Sequence, residues 1–550
     1  MLTDMTSSTF RPMIPYPIFG KGVRRSKGVT ALKGNIAVTR AITEIIKTTL
    51  GPKGYSKILY TPKGELVITN DSATILKKMD IFFFDHPISN ILIEVAKTQE
   101  RMIGDGTTTA VILAGELAVK AEKLLDQKIH PNIIIKGYKR ALDIAVDYLQ
   151  KISSIINPEN NNLILNIVTT SLQGRNLGHF APYIAKLVME AVTYISEKRN
   201  IPGTGEQLYF DIDNIKIVKA LGGSLPESEL VKGVIIDEEV VHPLMPRRIV
   251  NARIALIYEP LELRRRKDQR TFLTSYHIEI GAQAKIKSFK EEEAKIVQEK
   301  IEKIIEVGAN VVLTPKHIDE IAQYYLAKAN ILAVKRVRTT DMKLLTKVTG
   351  GKLVATLDDL SSKDLGYAGI VEERKIGDNK FVFVYECDYR GAASVLLRGN
   401  SDRLLDEAER EVNNAIMNLI TFFKDTRVVP GGGATEMALS YAVRSVATRY
   451  PGKEQLAMLA FAEALESIPL TLAENAGIDK VDVITELRPL HEEGKHQYGI
   501  EVISGKVKNM FEAGIIEPLQ LKEHALKIAV EAASIILRIN DILVAPQKKP

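Results

Sequence analysis

The chain has no tryptophan, a single cysteine (Cys387), and only 6% aromatic residues. One cysteine excludes an intramolecular disulfide and cannot build a thiolate zinc site, and it fits a reducing cytosol. Uninterrupted apolar runs of about 18 residues are missing, so no membrane-spanning helix is expected. The N-terminal arm, residues 1–25, has no apolar stretch ahead of a small-residue cleavage site, so no secretory signal is expected. Its prolines and glycines read as a poorly ordered segment. An excess of one charge is also missing. The 74 basic and 68 acidic residues leave a net charge of +6, too evenly mixed for a nucleic-acid binder. The motifs GxxxxGK[ST], GxSxG and HExxH do not occur, which removes the Walker, serine-hydrolase and zincin readings. Nine scattered histidines, with only His491 and His496 close together, read as structural or surface residues. The basic run 264–267 reads as a solvated face. These absences leave a cytoplasmic, multidomain protein.

At 550 residues the chain exceeds what one hydrophobic core can hold, and two to four domains are expected. Both ends read as helical. Apolar residues recur at helical spacing over 29–50 and stop at Gly51-Pro52. Further helices are predicted after 107, over 132–150, and in two long apolar-rich segments near the C-terminus. The middle differs. Short β-branched runs fill 208–260 and 330–400, and the segment from Asn310 to Val337 reads as strand, helix, strand, a parallel βαβ unit. Residues 290–307 predict a charged amphipathic helix. The order helical, α/β, helical implies an α+β chain in which an α/β unit is inserted into a helical domain built from both ends.

Four short stretches, three of them with glycine, lie in the helical ends: TLGPKG (49–54), TNDSAT (69–74), GDGTTTA (104–110) and VVPGGGATE (428–436). Each has an ordinary reading: a helix stop, a turn, a threonine cap, a flexible joint. GDGTTTA supports a sharper one. Flanking glycines let backbone N–H groups approach an anion, a helix start adds partial positive charge, and threonine hydroxyls supply further donors. A lone Asp105 beside phosphates suits Mg²⁺, which takes one or two carboxylates and fills its shell with phosphate oxygens and water.

Together these stretches, with HPISNILIEVAKTQE, KGVIIDEEVVHPLMPRR, YYLAKANILAVKRV and LAENAGID, resemble the group II chaperonins, and within them the archaeal thermosome subunits, from about residue 25 to 545. The departures below resemble a divergent, gamma-type paralogue. The resemblance implies a chaperonin fold: a helical equatorial ATP-binding domain (1–154 and 415–550), a small α/β intermediate hinge domain (155–222 and 373–414), and an inserted α/β apical domain (223–372) with a helical protrusion near 260–295 acting as lid. It implies ATP and Mg²⁺ as cofactors, homologous subunits in a double ring (homo- or hetero-oligomeric) as partners, and unfolded proteins as clients.

By motif, the resemblance places Leu50, Gly51 and Pro52 along the nucleotide and Asp105 on Mg²⁺. It puts Gly106, Thr107, Thr108 and Thr109 around the phosphates, Gly432 and Gly433 near sugar and base, and Glu517 at the ribose. Arg175 stands where the family has a lysine sensing the terminal phosphate; the charge is kept, but a fork replaces a point charge. Of the two aspartates that activate water in the family, one matches Asp71. The other, at the end of an intermediate-domain helix, is replaced by Asn414, which cannot accept a proton. Ser72 replaces a glycine after TND, an expected source of strain if that site needs φ > 0. The resulting expectation is a chaperonin subunit that binds Mg-ATP and hydrolyses it slowly. The alternatives are a mainly structural or regulatory ring subunit and, in another class, a metabolic kinase or ligase.

Overall fold

The computed structural model describes residues 24–544 except 61–63, 65, 83–85, 175–176, 178–179, 202–204 and 263–282. The N-terminal arm through residue 23, and most of the expected protrusion, lie outside the described residues.

Five helices open the chain: α1 (Val29–Lys47), α2 (Ser72–Phe82), α3 (Ile88–Ile103), α4 (Thr107–Asp126) and α5 (Pro131–Ile152). After them come α6 (Asn161–Gln173) and α7 (Ala181–Ile195), then a strand-rich middle with α8 (Gln283–Val307), α9 (Glu320–Lys328) and α10 (Thr339–Thr349). The long α11 (Asp402–Lys424) leads to α12 (Ala434–Ala447), α13 (Lys453–Ala476), α14 (Lys480–Glu492) and α15 (Leu519–Arg538).

The first core is helical and draws on both ends of the chain, with buried apolar residues from Leu32 to Leu149 and again from Val429 to Leu537. α4 is its axis. Residues Thr109–Ala118 of α4 are buried without interruption, because α1, α3, α13 and α15 surround it. A helix apolar on every side is stable only when so enclosed. Among the described residues α13 alone is long and apolar enough to cross a membrane, and 78% of its apolar window is buried inside the protein. Its place is the core. The first and last described segments pair as a two-stranded ribbon, Arg24–Lys27 against Asp541–Val544.

A second core joins α6, α7 and α11 to a three-stranded sheet in which Ala393–Gly399 pairs in parallel with Ile215–Leu221 and antiparallel with Glu229–Val231. The third core lies around a mixed sheet. Its parallel part, Arg248–Ile257, Val311–Leu313 and Leu332–Val334, contains the expected βαβ unit with α9 as crossover. An antiparallel extension follows through Gly366–Ile376, Asn379–Tyr385 and Gly233–Ile236. A small apolar cluster including Ile235, Phe381, Phe383 and Leu396 joins the two sheets. Beside it Lys216 Nζ meets Asp341 Oδ2 at 2.6 Å. α11 packs its apolar face on the second core as far as Phe422, so the boundary expected at 414/415 falls inside an unbroken helix.

One buried ionic cluster ties the returning end together. Lys522 of α15 reaches Glu436 of α12 at 2.8 Å and Glu517, on the strand Ile516–Pro518, at 2.5 Å. Burial draws the ammonium down, but the two carboxylates outweigh it and hold Lys522 above the ordinary lysine value. Burial, with Glu436 nearby, pushes Glu517 above the ordinary carboxylate range despite Lys522. Removing the cation would leave the buried Glu436 and the partly buried Glu517 without a counter-charge. Lys522→Met is therefore expected to destabilise the protein by about 3–5 kcal/mol near neutral pH. The native variant would hold protons that the unfolded chain has released, so stability should rise as pH falls from the raised Glu517 value toward about 4.3, the unfolded value. Thermal unfolding at two pH values checks this; an equal loss at both contradicts it.

Candidate functional site

Three helices of the first core begin at one cavity of about 270 Å³, and each beginning is shaped by its sequence. α2 starts after Asp71, whose Oδ2 accepts the N–H of Thr74 at 2.9 Å, an N-cap hydrogen bond. α4 starts after Gly106, which has φ 75° and would drive a Cβ to 2.9 Å from Leu521. α12 starts after Gly433, with φ 76°, against the ring of Pro469 in α13. Only glycine meets both demands at those two positions. The α4 and α12 starts carry no side-chain cap, so backbone N–H groups and the positive ends of the helices face the cavity.

Leu50, Gly51 and Pro52 form one wall, and Asp71 with Asn70 another. Asp105, Gly106 and Thr107 to Thr109 make the floor, and Gly432, Gly433 and Glu517 close the side fed by the chain's second half. Asp105 is held firmly. Its Oδ1 accepts the Gly106 N–H at 2.7 Å, and its Oδ2 accepts the Ser171 hydroxyl at 2.6 Å and the Asn418 amide at 3.4 Å. The Ser72 hydroxyl bonds Thr108 at 2.7 Å and Thr49 at 3.3 Å, linking three of the four stretches singled out in the sequence.

Two sequence expectations change. Ser72 is the first residue of α2 and is not among the residues with positive φ, so no backbone strain arises there; its helical conformation suits any L-residue. Asn414 is not at a helix end but in the middle of α11, and it does not line the cavity. Its carbonyl oxygen lies 2.9 Å from where a Cβ on Gly104 would sit, so it backs the GDG turn from behind. Arg175 lies outside the described residues.

The cavity also contains residues that the sequence reading did not single out. Thr170, Ser171 and Gln173 come from the end of α6, and Ile500 to Ile503 from the hairpin Tyr498–Glu501 with Lys506–Asn509. Lys522 completes the wall beside Glu517. Ser171 lies four residues before Arg175 and was within reach of that motif; Lys522 is one of several charged residues on α15 and gave no local signal.

Among the described residues no group of three histidine, cysteine or acidic side chains could hold a metal ion. The donor set is instead one firmly positioned carboxylate, hydroxyls and backbone N–H groups. It suits an anion carrying a hard divalent cation whose other ligands come from the anion and water.

The sequence matches the TCP-1/cpn60 chaperonin family over residues 42–547. It is 44% identical to the thermosome subunit alpha of Archaeoglobus fulgidus over 96% of this chain and 95% of that protein. It is 45% identical to a thermosome subunit of Methanopyrus kandleri over 96% and 94%. To the thermosome subunit beta of Sulfurisphaera tokodaii it is 42% identical over 100% of this chain and 97% of that protein. With a family match across nearly its whole length and relatives this similar, the chain belongs to the TCP-1/cpn60 chaperonin family.

Proposed function

We propose that this chain is a subunit of a ring-forming, ATP-dependent folding chaperone of the cytoplasm, and that it hydrolyses ATP slowly. The convergence of three helix starts and two acids on one cavity carries the reading. The helical first core is the equatorial, nucleotide-binding domain. The second core, with the whole of α11, is the hinge, and the third is the apical domain that meets unfolded clients. Ring contacts fit the hairpin Lys57–Tyr60 with Leu66–Thr69, which exposes Ile58, Tyr60 and Ile68 to a neighbouring subunit.

In this reading the N-termini of α4 and α12 and the hydroxyls of Thr107 to Thr109 hold the phosphates. Leu50, Gly51 and Pro52 flank the nucleotide, and Gly432, Gly433 and Glu517 meet its sugar. Arg175 is the candidate contact for the terminal phosphate. Asp105 would hold magnesium, which when bound supplies charge neutralisation on the phosphates. Asp71 is the base for the attacking water. On hydrolysis that water oxygen bonds to the terminal phosphorus, the bond to the ADP oxygen breaks, and the water's proton leaves to a base. Asn414, where the family resemblance places a second acid, can orient water through its amide but cannot take the proton.

A second reading, a mainly structural or regulatory subunit of a mixed ring, draws on the same Asn414. Refolding of a denatured client by rings of this chain with ATP separates the two.

Asp105→Ala is expected to weaken Mg-ATP binding, measured by calorimetry. Asn414→Asp is expected to speed single-turnover hydrolysis, with a restored general base contributing on the order of 10²-fold. A parent rate equal to that of an ordinary thermosome subunit would overturn the slow-hydrolysis reading.

A further inference from the structure

α11 does not line the cavity, yet its buried polar stripe grips two of the cavity's loops. Glu407, Asn414 and Asn418 fall on one face of the helix, and all three are buried. Asn418 touches Asp105, as described. One end of the stripe touches the other acid's loop. Thr69 Oγ1 donates to Glu407 Oε1 at 3.2 Å, while the same hydroxyl oxygen accepts the backbone N–H of Asp71 at 3.1 Å. Arg410 pairs with Glu407 and donates to the Thr74 hydroxyl at 3.0 Å. Thr74 in turn gives its own N–H to the Asp71 carboxylate. The loop is thus held from α11 on both sides of Asp71.

The direction of these bonds is fixed by chemistry. A hydroxyl has one proton and two lone pairs, whereas an ionised carboxylate only accepts. With Thr69 fully buried, no water competes, so its proton must point to Glu407. A lone pair then remains for the Asp71 N–H. A neutral amide at 407 could present its NH₂ instead, turn the Thr69 proton around and set it against the Asp71 N–H.

We propose that Glu407 is a positioning residue for Asp71, acting across the hinge through the Thr69 hydroxyl, with Arg410 holding Glu407 in place. The proposal rests on the reading of Asp71 as the base of a Mg-ATP site. It gives α11 a task separate from the residue at 414: the hinge helix sets the aim of an acid that belongs to the nucleotide domain. A shift of α11 relative to the first core would therefore be felt at Asp71, through Thr69, as well as at the residue at 414 that the same helix carries.

The test uses the full chain in an Asn414→Asp background, where turnover is faster, and measures single-turnover hydrolysis and equilibrium Mg-ATP affinity side by side. Thr69→Val and Glu407→Gln are each expected to slow hydrolysis about tenfold or more while affinity stays within about twofold. Thr69→Ser, which keeps the hydroxyl, should restore most of the rate. The double variant should be no slower than Thr69→Val alone, because members of one relay are not additive. If Glu407→Gln fails to fold through its lost ion pair, Thr69→Val and Thr69→Ser decide the matter. A Thr69→Val rate equal to the parent's, or a double variant showing the product of both single losses, overturns the relay and leaves the nucleotide reading intact. Absence of Mg-ATP binding by the parent chain overturns that reading, and the relay with it.

Discussion

A helix start with bare N–H groups attracts anions, and a cavity ringed by two such starts, with a third capped by Asp71, favours something negative in it or beside it. Most of the first core can be understood as the means of holding that arrangement. Gly106 and Gly433 exist in left-handed geometry so that α4 and α12 can begin without a side chain in the way. Pro469, which interrupts the hydrogen bonding of α13, sits where its ring abuts Gly433. Asp71 and Asp105 supply negative charge at the helix starts, each held by short hydrogen bonds to neighbouring groups. The buried cluster of Lys522 with Glu436 and Glu517 fixes α12 and α15 relative to the last wall of the cavity.

The joints between the three cores are built differently. Between the second and third, Lys216 and Asp341 form a buried ion pair, Lys347 reaches Asn214 at 2.5 Å, and aromatic side chains fill the gap between the sheets. Such a joint is costly to open, because separation would leave buried charges unpaired. Between the first and second, α11 meets the cavity loops mainly through side-chain hydrogen bonds to hydroxyls and an amide contact. These exchange readily for bonds to water and cost little to break. The molecule is therefore stiffer between its two sheets than at the cavity loops.

The helices were legible because their apolar faces recur with a period near 3.6, and the βαβ unit because two β-branched triplets bracket an amphipathic turn of sequence. α1 was expected over 29–50 and runs Val29–Lys47; α5 was expected over 132–150 and runs Pro131–Ile152. Gly366–Ile376 escaped notice, since its second half, EERK, carries charges on both faces and shows no alternation. The short hairpin at Tyr498–Asn509 has too few residues to display a period, and with it went half a wall of the cavity. The four short stretches were visible one at a time; that they face a common space depends on α4, α12 and α15 packing together, which no local pattern encodes. Thr69, Glu407 and Ser171 were invisible as a set for the same reason, since each acts only through a residue distant in sequence.

Because the first core is assembled from two segments, order of synthesis matters. The apolar faces of α1 to α5 are complete once Leu149 has been made, yet the residues that cover them begin near Val429. Some 280 residues separate the two, roughly 14–56 s at ordinary translation rates of about 5–20 residues per second. During that interval the ribosome carries an uncovered helical half-core, while the third core, whose buried residues run from Val234 to Ala392, has all its own residues and can fold first. The second core must wait for Ile516. The ribbon between Arg24–Lys27 and Asp541–Val544 can form only once residue 544 has emerged from the ribosome. A member of a chaperonin family is thus, by its own topology, a chain with exposed apolar surface while it is unfinished.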